Sequence, residues 1–490
     1  MIAEGPVAAD AFKDRVFDVC VVGSGAAGIS IAKEMDGSRL SVAVLEAGGL
    51  DVSPESQDLY KGEEDTRRMP ADYLSAYRLR AFGGTTGHWA GEGRPLDEID
   101  FEKRDWIPHS GWPIARRDLE SYYHRAAPYC RLPGIRPEDS TPPSGPAAEG
   151  EERFFSFRPL YRASRVPRFG TEHLDALRAS KNVEVFLGCP VVRISSRAGG
   201  RDVATVTISS GGKEHDVKAR TFVLAAGTIE SARLLLASAR RRTLRLGREE
   251  DVVGRYFMDH SEGTCAVLRL PGGQLQELSG LLNSFDARVQ APYAPTLWVS
   301  PRIQALEGLP NAAFELSRLS PSQQPEQLDG IGRISDFFRG DAGPQGASFE
   351  LSIRGETRPD SENRVTLTES LDSLGLPRVK LFYRWHPEDL EGFERALQLL
   401  AQDFGWRHGA VLRQVAALGD AVGSSFHQMG TTRMGQSPVD SVVDRNCRVH
   451  SVPNLYVAGS SVFATCGWAN PTLSLVALSI RLADRLKEAA

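Results

Sequence analysis

No uninterrupted apolar run in the sequence approaches the ~18 residues that a membrane-spanning helix needs, so no span is expected. The opening stretch MIAEGPVAADAFKDRVFD lacks a basic segment followed by an apolar one, so no secretory leader is expected and the cytoplasm is the default location. Cysteine is sparse: six residues (Cys20, Cys130, Cys189, Cys265, Cys447, Cys466) are scattered without a CxxC pair, so reduced thiols are expected rather than a disulfide framework. The ten histidines include no i, i+3 or i, i+4 pair and no HExxH, so no metal site is expected. There is no GxSxG elbow, which disfavours a hydrolase. A formal net charge of -5 gives no electrostatic reason to propose nucleic acid as a partner.

What remains is an ordinary globular composition, 41% hydrophobic and 25% charged, spread over 490 residues. That length exceeds what one hydrophobic core usually organises, so two domains are expected, with segments that can interleave.

The first informative stretch is FDVCVVGSGAAGISIAKEMDGSRLSVAVLEAGG, from Phe17 to Gly49. A short β-branched apolar run is followed by Gly23, Gly25 and Gly28 in a GxGxxG pattern, then a helical segment, a second strand and the acidic Glu46. Strand, glycine turn, helix, strand and acid in this order within about 30 residues form a βαβ dinucleotide-binding unit. Gly23 permits the tight turn, Gly25 lets the backbone approach a pyrophosphate, and Gly28 lets helix and strand pack closely. Ala26 and Ala27 open the helix, whose unpaired N–H groups suit phosphate, and Glu46, followed by Ala47, is placed to accept hydrogen bonds from a ribose. Three later segments end in small residues after apolar strands: NVEVFLGCPVVRISS, which contains Val191; RTFVLAAGTIESARLLLAS, with Ala226 and Gly227; and VPNLYVAGSSVF, with Gly459 and Ser460.

These segments resemble the FAD-binding domain of glutathione-reductase-like flavoproteins. More specifically, the chain resembles the glucose-methanol-choline (GMC) flavin oxidoreductases nearly end to end. The resemblance is carried by GSGAAG with Glu46, AFGGTTGHWAGEGRPLDEIDFEKRDWIPHSGWPI, LAAGTIESARLLLAS, VGRYFMDH, NRVTLTESLDSLGLPRVKL, HQMGTTRMG and ANPTLSLVALSIRLAD, in that order. It implies a mixed α/β fold: a Rossmann-like FAD domain interleaved with an antiparallel-sheet substrate domain. It also implies FAD as cofactor and alcohol oxidation as reaction class.

In GGTTGHW, Gly83 and Gly84 present no Cβ to a large planar ligand, and Thr86, Trp89 and Ala90 are expected beside it. The resemblance places His88 where some relatives carry a covalent link to the flavin. A covalent bond and a buried imidazole hydrogen-bonded beside the ring both stay open.

Oxidation of an alcohol requires its hydroxyl proton to leave, and an imidazole held near the substrate oxygen suits that task. A lone histidine among apolar neighbours usually sits satisfied in a core, but HxxGTxRMG matches the GMC motif and marks His427 as the base. Asn470 precedes Pro471, Thr472 and a long apolar helix, the pattern of an N-cap and N1 proline. The resemblance assigns Asn470 a second task, hydrogen-bonding the substrate oxygen. His260, in GRYFMDH, reads as structural support, and Cys466 and Trp468 as residues that either border the pocket or simply pack.

The FAD domain is expected at residues 1–95, 165–265 and 425–490, and the substrate domain at 96–164 and 266–424. PEDSTPPSGPAAEGEE reads as a surface loop. SFELSIRGE, NRVTLTES and PRVKLFYRW read as strands of the substrate sheet, and PEDLEGFERALQLLAQDFG as a helix. The motifs look closest to the pyranose oxidase, glycoside oxidase and bacterial sugar dehydrogenase branch, implying a sugar or polyol-like substrate and oxygen, a quinone or another electron acceptor. A non-sugar alcohol, a lyase or a light-driven decarboxylase of the same fold, and a silent flavin-binding module remain alternatives, and oligomeric state is open.

Overall fold

The computed structural model describes residues 1–5, 7, 11–133, 154–277, 285–286, 291–319 and 346–489. The Pro/Gly-rich stretch from Pro137 to Glu152 lies outside the described residues.

The fold is mixed α/β, built on two large sheets. The first has eight strands, and its core is parallel: Val16–Val22 lies between Val42–Leu45 and Lys213–Leu224, with Val183–Phe186 and Ile2–Ala3 beyond. Val16–Val22 and Val42–Leu45 are joined by the helix Ala26–Met35, the expected βαβ unit, with Val22 in register with Leu45. The buried runs VCVV and VAVL suit a parallel strand pair covered on both faces. Val191–Ser196 and Val203–Ser210 extend the sheet as an antiparallel meander, and Leu455–Val457 returns from far along the chain to pair in parallel with Lys213–Leu224.

The C-terminal helix Pro471–Ala489 packs on Ala26–Met35 and on Glu120–Tyr129. Leu473, Val476, Leu478, Ile480 and Leu482 are each at most 2% exposed, and each buried side chain of this size contributes ~1.5–3 kcal/mol. Glu120–Tyr129, expected with the substrate domain, therefore packs in the layer that covers the nucleotide sheet.

The second sheet has seven strands, including Ser261–Leu270, Ala347–Gly355, Ala312–Arg318 and Thr296–Val299, with antiparallel pairing. Alternation sorts its two faces. Phe314 and Ile353 point into a core closed by Phe393, Leu397 and Leu400 of the helix Pro387–His408, whereas Glu262, Ser352, Arg354 and Glu315 point the other way. SFELSIRGE is thus a substrate-sheet strand and PEDLEGFERALQLLAQDFG a helix, as read. NRVTLTES and PRVKLFYRW differ: Arg364–Leu371 and Pro377–Tyr383 form a separate three-stranded sheet with Glu63–Thr66, whose pairing with Pro377–Tyr383 is parallel. Val365, Val379 and Leu381 pack there on Ile229 of the helix Thr228–Arg240, so the apolar face of these strands is satisfied on the nucleotide side.

Among the described residues no helix is long and apolar enough to cross a membrane, and no group of three or more His, Cys, Asp or Glu side chains is arranged to hold a metal ion. The six cysteines are buried and unpaired.

Candidate active site

A single cavity of about 750 Å³ runs from the first glycine turn to the seven-stranded sheet. Its nucleotide end is made largely of backbone. Gly23 has φ +101°, and a Cβ there would lie 2.6 Å from the Ala225 carbonyl oxygen. A Cβ on Gly28 would lie 2.0 Å from the Gly23 carbonyl oxygen, so both glycines are required by packing. At Gly25 a Cβ would meet no protein atom within 4 Å, because this residue faces the open cavity, and Ala26 and Ala27 continue the wall with the start of the helix. The openings of two further helices, at Gly227–Thr228 and Pro471–Thr472, face the same space. Their unpaired N–H groups make a favourable surface for an anionic, planar ligand.

Glu46 ties the unit together. Its Oε2 accepts from Ser24 N (2.9 Å) and Ser24 Oγ (2.6 Å), and its Oε1 from Gly48 N at 2.8 Å. A carboxylate oxygen has room for a second donor, so Oε1 keeps capacity for a ribose hydroxyl. The GGTTGHW segment folds into a tight turn at Gly84–Gly87. Gly84, with φ +55°, would place a Cβ 2.9 Å from the Gly25 Cα, and Gly83 would place one 2.4 Å from Gly170 N. Thr86 Oγ1 donates to the Gly83 carbonyl and accepts from Phe169 N, while Trp89 Nε1 donates to the Pro167 carbonyl at 2.7 Å. The imidazole of His88 lies exposed on the cavity wall rather than buried, and burial of part of its ring, with Arg168 nearby, holds it below the ordinary histidine value.

At the other end, residues 258–262 and 423–429 run antiparallel: Met258 bridges Met429, and Ser261 pairs with Ser424. This pairing sets His260 beside His427, with Nδ1 to Nδ1 at 2.9 Å. His260 Nε2 faces the Cys466 carbonyl oxygen at 3.3 Å. A carbonyl only accepts, so Nε2 of His260 carries the hydrogen and its Nδ1 accepts from His427 Nδ1–H. His427 Nε2 is left with the lone pair and accepts a long hydrogen bond from Asn470 Nδ2 at 3.4 Å. Burial, followed by His260 and Arg354, holds the His427 imidazole well below the ordinary histidine value, with Glu262 opposing. Burial likewise lowers His260 to about 4. Both rings are neutral near pH 7.

Asp259 positions this strand pair. Its Oδ1 accepts from His427 N at 2.7 Å, and its Oδ2 from Tyr73 Oη at 2.8 Å and from Ser424 Oγ. Burial pushes its carboxyl up to about 6 against these bonds. Phe426, immediately before His427, has φ +62° and stacks on Tyr77 with ring centroids 3.7 Å apart. A bulky residue in the left-handed region costs of order 1–3 kcal/mol, and the stack and the Asp259 bond hold it there.

Asn470 stands at the cap position before Pro471, but its carboxamide oxygen accepts from Arg354 Nη1 at 2.7 Å. Arg354 also pairs with Glu262 through Nε (3.0 Å) and Nη2 (2.8 Å). The sheet register sets this up, since Arg354 and Glu262 are directly opposed on neighbouring strands. An alternating string of charge continues along the wall: Arg354 to Glu92 at 3.6 Å, Glu92 to Arg162 at 2.9 Å, and Arg162 to Glu315 at 2.8 Å.

Of the residues expected from sequence, Gly23, Gly25, Ala26, Ala27, Glu46, Ala47, Gly84, Thr86, His88, Trp89, Ala90, Val191, Ala226, Gly227, His427, Gly459, Ser460, Asn470, Pro471 and Thr472 line this one cavity. Gly28 and Gly83 stand behind it and act through close packing. Cys466 and Trp468 do not reach the wall of this cavity and are buried, Trp468 with its Nε1 donating to Asp97 at 2.9 Å. His260 does more than brace the fold, because it determines which nitrogen of His427 is free. Arg354, Glu262, Glu92, Arg162 and Glu315 went unnoticed. Inward-facing charges at alternate positions of SFELSIRGE were the available signal, but their partners come from other strands.

Residues 359–479 match the family model described as GMC oxidoreductase. The chain is 27% identical to 6'''-hydroxyparomomycin C oxidase of Streptomyces lividus, over 96% of this chain and 91% of the relative. It is 28% identical to paromamine 6'-oxidase of Streptomyces fradiae, again over 96% and 91%. Among solved structures, pyridoxine 4-oxidase from Mesorbium loti superposes with a TM-score of 0.58 at 19% identity, covering 96% of this chain and 99% of that one.

Proposed function

Because the chain belongs to the GMC oxidoreductase family, FAD enzymes that act on CH–OH groups, we propose that it oxidises a primary or secondary alcohol of a sugar, glycoside or sugar-like natural product to the carbonyl, with His427 as base. The observation that carries this reading is the pairing on the cavity wall of one acceptor, His427 Nε2, and one amide donor, Asn470 Nδ2, joined to each other only by a long 3.4 Å hydrogen bond that a substrate oxygen can replace. An alcohol oxygen donates one hydrogen bond and accepts another, so it satisfies both at once.

The residues of the nucleotide end fit FAD: Gly25 opens to the cavity where a side chain would fill it, and Glu46 retains an acceptor position. Gly23 to Ala27, Glu46, Ala47, Val191, Gly84, Gly459 and Ser460 would hold the cofactor. FAD supplies the two-electron acceptor for the hydride that leaves the alcohol carbon. The chain's own part is to take the hydroxyl proton at His427 Nε2 and to keep the substrate oxygen bonded to Asn470 Nδ2 as its charge grows. His88, on the cavity wall, is the side chain that would carry a covalent link to the cofactor, if one forms.

Two observations favour a polyhydroxylated substrate. The string Glu262, Arg354, Glu92, Arg162, Glu315 offers carboxylate acceptors and guanidinium donors along the wall beyond His427 and Asn470, matched to a ring bearing several hydroxyls. The two Streptomyces relatives are named as oxidases of 6'''-hydroxyparomomycin C and paromamine.

The test is a panel of sugars, glycosides, aminosugars and simple alcohols mixed with the oxidised holoenzyme under argon. Bleaching of the oxidised flavin band by sugar-like alcohols is the expected result. An unchanged spectrum across the panel overturns alcohol oxidation, and bleaching by simple alcohols alone overturns the substrate class. His427→Ala is expected to lower the bleaching rate by roughly 10²-fold or more with FAD still bound.

A further inference from the structure

The orientation of the Asn470 carboxamide is decided from outside the pocket. A guanidinium has five N–H donors and no acceptor, so the end of Asn470 that meets Arg354 Nη1 at 2.7 Å is the oxygen. The other end, Nδ2, is thereby the one turned to His427 and to the cavity. Arg354 is only 9% exposed, and its remaining nitrogens are engaged by both oxygens of Glu262, at 3.0 and 2.8 Å. Ser425 Oγ donates to the same carboxylate at 2.7 Å, so Glu262 is itself braced. Without the guanidinium, the amide could present either end to the substrate. With its oxygen forward it would oppose, rather than stabilise, negative charge developing on the alcohol oxygen.

We propose that Arg354, braced by Glu262, is the positioning residue that fixes Asn470 as an obligate hydrogen-bond donor to the substrate oxygen. This inference rests on the assignment of Asn470 and His427 given above. The two partners of the substrate oxygen are then each set from behind: Cys466 carbonyl and His260 leave His427 Nε2 an acceptor, and Glu262 and Arg354 leave Asn470 Nδ2 a donor. An alcohol is the one oxygen species in the reaction that needs both. The cation has a second consequence. The titratable and charged groups that face the His427 ring are His260, Arg354 and Glu262, with Asp259 on its backbone N–H, and Arg354 is the one fixed positive charge among them. It disfavours a proton on His427 and keeps the base free.

A double-mutant cycle on the holoenzyme, with whichever alcohol bleaches the flavin fastest, tests this. Arg354→Met is expected to lower kcat about 10- to 100-fold with flavin content unchanged, the scale on which loss of one oriented donor acts. In an Asn470→Ala background the same change is expected to cost less than about threefold, because the group it orients is gone. An undiminished loss in that background overturns the proposal, as does wild-type kcat in folded Arg354→Met. Should Met alone leave Glu262 buried without a partner and unfold the chain, Glu262→Gln combined with Arg354→Met removes both charges, and the same outcomes apply. A readout without turnover is the pH titration of the His427 imidazole by nitrogen-15 NMR. It is expected to move up toward the ordinary histidine value in the Arg354 variant, and no movement counts against the proposal. If His427→Ala leaves turnover intact, the function assigned above fails instead, and the NMR titration then judges Arg354 by itself.

Discussion

The two ends of the cavity are built by different means. At the nucleotide end the recognition surface is backbone: Gly23, Gly25 and Gly28 lie within six residues, and the helix they open presents N–H groups without help from any distant side chain. At the oxidising end it is side chains from segments remote in sequence, with Glu92, Glu262, Arg354, His427 and Asn470 drawn from five stretches of chain. A backbone site fails when geometry changes, because a Cβ collides with atoms that cannot retreat. A side-chain site fails when a donor or acceptor is lost, and the fold survives. Substitutions at the two ends are therefore expected to break different properties.

The largest effect is expected at Gly28. Gly28→Ala sets a Cβ against the Gly23 carbonyl oxygen at 2.0 Å, which places it at or beyond the upper end of the ~1–3 kcal/mol cost of overpacking. Thermal unfolding and the flavin-to-protein ratio should both fall. A normal midpoint with full flavin would mean that the turn has slack and that the comparison is drawn too sharply.

Glu46→Gln is expected to have an intermediate effect. Its carboxylate accepts from Ser24 N, Ser24 Oγ and Gly48 N, and an amide nitrogen can replace none of these acceptors, so one buried donor is left unpaired at a cost of ~1–3 kcal/mol. Weaker FAD retention on dilution should accompany a lower midpoint, while kcat of the flavin-saturated enzyme stays near wild type. A change in kcat alone would place Glu46 with the oxidising end.

The smallest effect is one of pH. As the proposed base His427 would act unprotonated, and its imidazole sits well below its ordinary value because of burial, His260 and Arg354. Activity is lost only where the proton returns, so kcat/KM should stay level from pH 8 down through the ordinary histidine value near 6.5 and decline only in more acid solution. A decline centred on the ordinary value would show that the ring is better solvated in the holoenzyme than in this structure.

Legibility followed the same division. The βαβ unit could be read because its parts are adjacent in sequence, and each has a separate physical reason to be there. His427 and Asn470 were singled out through motif, and both line the cavity, although Asn470 alone looks like a cap, and structurally it occupies that position. NRVTLTES and PRVKLFYRW were placed in the wrong sheet because alternation reports only that one face is buried, and Ile229 on the nucleotide side could cover it as well as the second sheet could. His260 was read as support because its partner is 167 residues away. Arg354 left only the alternation of SFELSIRGE as a mark, and an arginine in a strand normally reads as a solvated face.

Sequence by itself determined the nucleotide turn, the FAD reading and the choice of His427 as the proposed base, because those depend on local spacing and on residue type. Only tertiary structure decided which nitrogen of His427 carries the lone pair, which end of Asn470 is turned to His427, and which charges line the wall. Those depend on hydrogen-bond direction between groups that strand register brings together, and register is a property of the folded sheet rather than of any one segment.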